Sequence, residues 1–279
     1  MSVAAPLVQT FSDPATGTFS YVVADPVTRL AAIIDPVLDY DAVTRSTSTN
    51  LAQHLLDHAS TNDLVVNWIL ETHTHADHLS AAQWLKERLP AACVGIGEGI
   101  RQVQAAFKNK LGLEADFPID GRQFDVLVGE NERLAMGSLE IRVMSTPGHT
   151  PDSVSYLIGD AAFVGDTIFA PRYGTARCDF PCGNAGILYD SMQRLLRLPP
   201  STRVFLCHDY PPEGIAAQHL TDPESLRNQN IHLLGGVSWE QFVTMREARD
   251  AKLKEPCLLE ASLRANVRAG RLDDSYFRH

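Results

Sequence analysis

Apolar residues in this chain fall into short runs broken by turn residues, alternating with stretches in which they recur every three or four positions. Residues 19–23 and 30–34 predict two strands joined by a turn at Asp25-Pro26. Leu51, Leu55 and His58 share one face of a predicted helix. The mostly apolar run 64–70 predicts a buried strand, and Ala81, Ala82, Leu85 and Leu89 then recur at helical spacing until Pro90 stops the pattern. A short strand over 93–96 and a helix carrying Ile100, Val103, Phe107 and Leu111 on one stripe follow.

The middle of the chain changes period. Leu139, Ile141 and Val143 alternate with Glu140, Arg142 and Met144, which is the mark of a half-buried strand. Residues 154–158 and 161–164 flank Gly159-Asp160, a two-residue hairpin turn. After a loop from 167 to 186, Leu188, Met192, Leu195 and Leu196 predict a helix, and 204–206 a strand. The tail is mostly helical, with Ser238 and Gln241 forming a capping box ahead of Phe242, Met245 and Ala248. Strands and helices in two broadly similar halves predict a layered α/β sandwich. Residues 1–210 are read as the catalytic domain and 211–279 as a C-terminal helical extension packed on it.

Composition narrows the function classes. The chain has 279 residues, 24 basic and 34 acidic, for a net charge of −10. That balance argues against a general nucleic-acid surface while leaving room for a local arginine cluster that meets a small anion. Residues 1–6 lack a basic segment and a long apolar core, so no secretory signal is expected, and no apolar run is long enough for a membrane span. The five cysteines (Cys93, Cys178, Cys182, Cys207, Cys257) match no zinc-ribbon spacing. A reduced, cytoplasmic setting is expected, and a homodimer is the commonest symmetric assembly.

The chemistry gathers in one stretch. Between the strand at 64–70 and the following helix stand His73, His75, Asp77 and His78, spaced His-x-His-x-Asp-His. Imidazole and carboxylate are the usual nitrogen and oxygen ligands of catalytic transition metals, and this density on one loop predicts a metal site. His149, Asp166 and His208 stand at later strand ends and complete an ordered series.

His-x-His-x-Asp-His, then Pro147-Gly148-His149-Thr150, then Gly165-Asp166-Thr167, then the late His208 resemble the metallo-β-lactamase superfamily over residues 15 to 210. The resemblance implies an αβ/βα sandwich with the site at one edge, between the sheets. Two branches compete, both acting on glutathione conjugates. Similarity to glyoxalase II implies two zinc or mixed metals cleaving a thioester. His73, His75, His149 and Asp166 would hold the first, and Asp77, His78, Asp166 and His208 the second. Similarity to the persulfide dioxygenases implies one Fe(II) per chain held by His73, His149 and Asp166. That facial set leaves positions open for O₂ and glutathione persulfide, with His75, Asp77, His78 and His208 as outer groups.

Local sequence favours the dioxygenase branch. Arg177-Cys178-Asp179-Phe180 resembles its Arg-x-Asp-Phe, His208-Asp209-Tyr210 its His-Asp-Tyr, and residues 263–270 the ending of a bacterial branch. Thr175 and Ala176 depart from it, standing where several dioxygenases carry cysteine and glycine. The implied roles are Tyr210 as a hydrogen-bond donor near the substrate sulfur and Arg177 either as an orienter of the pocket loop or as a fork for a glutathione carboxylate. Asp179, Arg264 and Arg268 are further substrate-binding candidates. Zinc has no accessible redox step, so oxidation of a persulfide by O₂ requires iron rather than zinc.

Overall fold

The computed structural model describes residues 5–273 and 276–277. Residues 1–4, most of the stretch read as lacking a leader, lie outside the described residues. The first half of the chain supplies β1 (Leu7–Asp13), β2 (Thr18–Ala24), β3 (Leu30–Ile34), β4 (Val37–Asp41), β5 (Ser46–Ser48), α1 (Asn50–Thr61), β6 (Val65–Leu70), β7 (Leu79–Ser80), α2 (Ala82–Arg88), β8 (Cys93–Gly97), α3 (Ile100–Lys110) and β9 (Val126–Val128). The second half supplies β10 (Arg133–Met136), β11 (Leu139–Ser145), β12 (Val154–Ile158), β13 (Ala161–Phe163), α4 (Ala185–Leu196), β14 (Arg203–Phe205), β15 (Leu220–Thr221), α5 (Pro223–Gln229), α6 (Trp239–Asp250) and α7 (Leu259–Asn266).

Two six-stranded sheets result, in the orders β1-β2-β3-β6-β8-β9 and β10-β11-β12-β13-β14-β15. Period-two patterning decides which face each residue joins. In β2, Phe19, Tyr21 and Val23 enter the core between the sheets, where they meet Ile141, Tyr156, Phe163 and Phe205 from the second sheet. Val22 and Ala24 point the other way, into the layer covered by α1, α2, α3 and α7. The outer face of the second sheet packs against α4, α5 and α6 through Leu188, Met192, Leu226 and Phe242. The expected α/β sandwich is therefore a four-layered αβ/βα arrangement. Among the described residues, no helix is long and apolar enough to cross a membrane.

Several elements differ from the sequence expectation, each for a physical reason. The run at 64–70 is a strand, but Val65 is 59% exposed, because β6 sinks into the core only toward its end, at Ile69 and Leu70. A two-residue strand, β7, intervenes between the metal-type loop and α2, pairing with β4 rather than continuing the loop. Short β9, β10 and β15 carry too few residues for their period to stand out from the loops around them. The hairpin turn holds as expected, with Gly159 at φ +58° as a tight connection between β12 and β13 requires. The capping box at Ser238 and Gln241 is formed.

The inter-sheet core is the part most sensitive to lost volume. Phe163 is 1% exposed, stacks on Phe205 at 4.9 Å and meets Tyr21 edge-on at 5.2 Å. Phe163→Ala is expected to lower unfolding free energy by about 3–5 kcal/mol, read as a shift of the urea midpoint at unchanged slope.

Candidate metal centre

The site forms where strands stop. β3 and β6 run parallel, so their carboxyl ends reach the same edge of the first sheet, the position at which open α/β sheets form crevices. Asp35, just past β3, and residues 71–75, just past β6, are buried there. Asp35 Oδ1 accepts from the Thr72 backbone N–H at 2.7 Å, and its Oδ2 from the Thr72 hydroxyl at 2.9 Å. With its proton committed to Asp35, the Thr72 oxygen accepts from His73 Nδ1 at 3.1 Å. The His73 tautomer is thereby set, and its Nε2 is buried with no hydrogen-bond partner.

The other imidazoles are oriented the same way, by framework groups that engage one ring nitrogen and leave the second bare. His75 Nε2 lies 3.0 Å from Asp35 Oδ1 and 3.4 Å from Glu71 Oε2, and its Nδ1 is unpartnered. His149 Nδ1 donates to the Arg177 carbonyl at 2.7 Å, which aims Nε2 at Asp166 Oδ2, 3.7 Å away. For His208 the chain is longer. Thr16 donates to Asp13, so Thr18 donates to Thr16, and the Thr18 oxygen accepts from His208 Nδ1 at 3.2 Å. His208 Nε2 then faces Asp77 Oδ2 at 3.2 Å and Asp166 Oδ1 at 3.3 Å. His78 Nδ1 points to the Leu79 carbonyl at 3.3 Å and its Nε2 is bare.

Two donor sets emerge, His73 with His149 and Asp166, and His75 with Asp77, His78 and His208, the donor atoms of each lying within 4.8 Å of one another. All seven sequence-predicted metal-type residues are brought together. Burial, aided by the neighbouring imidazoles, holds His73 well below its ordinary value and lowers His78 to about 3. Both rings are uncharged near neutrality, the state in which imidazole binds a metal. For His75, burial opposes the charge, but Asp35 and Glu71 outweigh it and raise the value. Asp166 is raised by burial, against the pull of His208 and His149. Unpartnered buried nitrogens and a crowded carboxylate are costly without a partner, and a cation bound between them would satisfy both. The donor set fits a transition metal.

A cavity of about 570 Å³ opens over this cluster. Ala76, Asp77, His149 and Asp166 form its floor, and Phe169, Tyr173, Phe180 and Tyr210 its aromatic walls. Tyr210 lines the cavity, stacked parallel to His208, with its hydroxyl 3.5 Å from Asp77. Arg177 also lines it, but the guanidinium is already forked onto Asp179 at 2.6 and 2.7 Å and donates to the Lys254 carbonyl. Asp179 does not line the cavity. Arg264 and Arg268 are a correction: neither reaches it. Arg264 is held by Glu260, Asp273 and the Leu111 carbonyl, and Arg268 by Glu114, so both join α7 to the end of α3. Cys178 is buried among apolar residues against α4 and α6, while Cys182 is exposed.

A family model described as the metallo-beta-lactamase superfamily matches residues 14–208. The chain belongs to this superfamily. Within it, the chain is 46% identical to Glyoxylase B2 of Dictyostelium discoideum, over 95% of this chain and 91% of that one. It is 27% identical to the mitochondrial persulfide dioxygenase ETHE1 of Mus musculus, over 95% and 89%. The crystal structure of ETHE1 from Myxococcus xanthus superposes with a TM-score of 0.75 at 31% identity, covering 95% of this chain and 100% of that one.

The superfamily motifs name the metal-type residues but not what aims them. Sequence reading missed Asp35, Glu71, Thr18, Asp152 and Asn266. Asp152 accepts from the Thr74 backbone and hydroxyl at 2.8 and 2.5 Å, tying the loop of His149 to that of His73. Asn266, on α7, donates to the carbonyls of His75 and His78 at 2.9 and 2.8 Å and accepts from Ser80 N at 2.8 Å. Asp35 carries a faint signal, an acid directly after an apolar run and before Pro36; Asn266 carries none. Asn266→Ala leaves those three backbone groups unpaired in a buried setting and is expected to cost about 2–4 kcal/mol. Urea denaturation of the metal-free chain measures it.

Proposed function

We propose that this chain is a mononuclear Fe(II) persulfide dioxygenase that converts glutathione persulfide, O₂ and water into glutathione and sulfite. The observation that carries the reading is the His73, His149 and Asp166 set, a two-histidine, one-carboxylate group of which His149 and Asp166 line an open cavity. The likeness to ETHE1 over nearly the whole of both chains supports it. Iron bound there supplies the redox step and the open positions that the oxidation needs.

The chain's own residues do the rest. Phe169, Phe180 and Tyr173 limit water around the reacting sulfur. Burial, then Asp77 and Asp166, push the Tyr210 phenol up, so it stays protonated and available as a donor. Of the arginines lining the cavity, Arg172, Arg177 and Arg246 are paired with Asp209, Asp179 and Asp250. Arg249 has no ion-pair partner among the described residues and lies exposed at the rim. It is the group placed to take a substrate carboxylate by a forked contact.

The second donor set, with His75, Asp77, His78 and His208 all in place, favours a second reading: a glyoxalase II-like binuclear hydrolase of glutathione thioesters. The 46% identity to Glyoxylase B2 supports it too. Elemental analysis of protein purified without added metal, paired with O₂ uptake on glutathione persulfide, separates the two. The dioxygenase reading expects about one iron per chain, persulfide-dependent O₂ consumption, and no iron in Asp166→Ala. Two metals per chain with thioester cleavage and no O₂ uptake would overturn it. Arg249→Met is expected to raise KM for glutathione persulfide about 10-fold with kcat little changed, since the lost contact lies away from the sulfur.

A further inference from the structure

Arg246 and Asp250 sit one turn apart on α6, 2% and 4% exposed, and they belong to neither donor set. Asp250 Oδ1 accepts a fork from Arg246, at 3.0 Å from Nε and 2.5 Å from Nη2. Each partner then reaches the loop that carries the Arg177 carbonyl. Arg246 Nη1 donates to the Thr175 carbonyl at 3.0 Å, and Asp250 Oδ2 accepts from Cys178 N at 2.8 Å. The two contacts bracket Arg177, whose carbonyl is the acceptor for His149 Nδ1. Arg177 is also fixed from outside by Asp179 and the Lys254 carbonyl. Its carbonyl cannot turn away from His149 unless the clamp on α6 gives.

We infer that Arg246 and Asp250 are positioning residues of the metal centre, acting through residues 175–178 to hold His149 with Nε2 toward Asp166. The inference rests on the metal-site reading above, for either one metal or two. A group that orients the far nitrogen of a ligating histidine sets the ring's direction and basicity, and its loss typically weakens metal binding 10–100-fold. The clamp lies one step further back, holding that orienting group. A purely structural ion pair would alter stability and leave metal affinity and ligand geometry as they were.

Asp250→Asn separates these outcomes. The amide is the same size, but it must turn its NH₂ toward either the Arg246 guanidinium or the Cys178 N–H, so one half of the clamp is lost. Metal-free wild type, Asp250→Asn and His149→Ala are titrated with Co(II), reading the visible d–d band and the affinity by chelator competition. Circular dichroism confirms the fold. At least about 10-fold weaker binding with a shifted band in Asp250→Asn is expected. Wild-type affinity and band in Asp250→Asn, alongside weakened binding in His149→Ala, would overturn the positioning role and leave the metal reading standing. Wild-type binding in His149→Ala would remove the metal reading and the positioning role together. Should Asp250→Asn fail to fold, Arg246→Lys carries the same test, keeping the charge and losing the fork to Asp250 and the reach to Thr175. The same weakened binding supports the role, and an unchanged band and affinity refutes it.

Discussion

A carboxylate that cannot reach water organises this molecule. Asp35 is 2% exposed, and its oxygens are surrounded by the Thr72 amide and hydroxyl, His75 Nε2 and the Cys207 thiol. Each of those partners belongs to a different task. Thr72 sets the tautomer of His73, His75 is a donor of the second set, and Cys207 precedes His208 on the other sheet. Burying one charge at the junction of two sheets is tolerable only if every lone pair is met, and meeting them fixes the positions from which the metal-type side chains start.

The metal-type residues were legible in the sequence because their chemistry is visible one residue at a time, and four such side chains seldom crowd onto one strand-to-helix loop by chance. The sandwich was legible because β2 is a largely apolar run buried on both faces and β11 keeps close to a period of two. What could not be read is the layer that aims the ligands. Thr18 meets His208, Asn266 meets His78 and Asp250 meets Cys178 across 190, 188 and 72 positions of chain. Threonine, asparagine and aspartate in those places look like any turn or surface residue. Arg264 and Arg268 show the converse error: a resemblance in the tail marked them for substrate, and the fold uses them to join α7 to α3.

One scaffold presents two sets of donors, with Asp166 reaching both His149 and His208. Counting donor residues therefore does not decide between one metal and two. Beyond the donors, the site is shaped by the cavity walls and by the groups that hold each ring. Those features come largely from the loop 169–180 and from α6, outside the motifs that define the superfamily.

Asn266 gives the site an order in time. The carbonyls it donates to belong to residues 75 and 78, which are synthesised 191 and 188 residues before it. Synthesis runs from the N-terminus, so the histidine loop exists before the amide that closes it. A half-made chain can hold the ligands near one another without holding them in place. Metal met at that stage finds a loose site, and the tight one belongs to the finished chain.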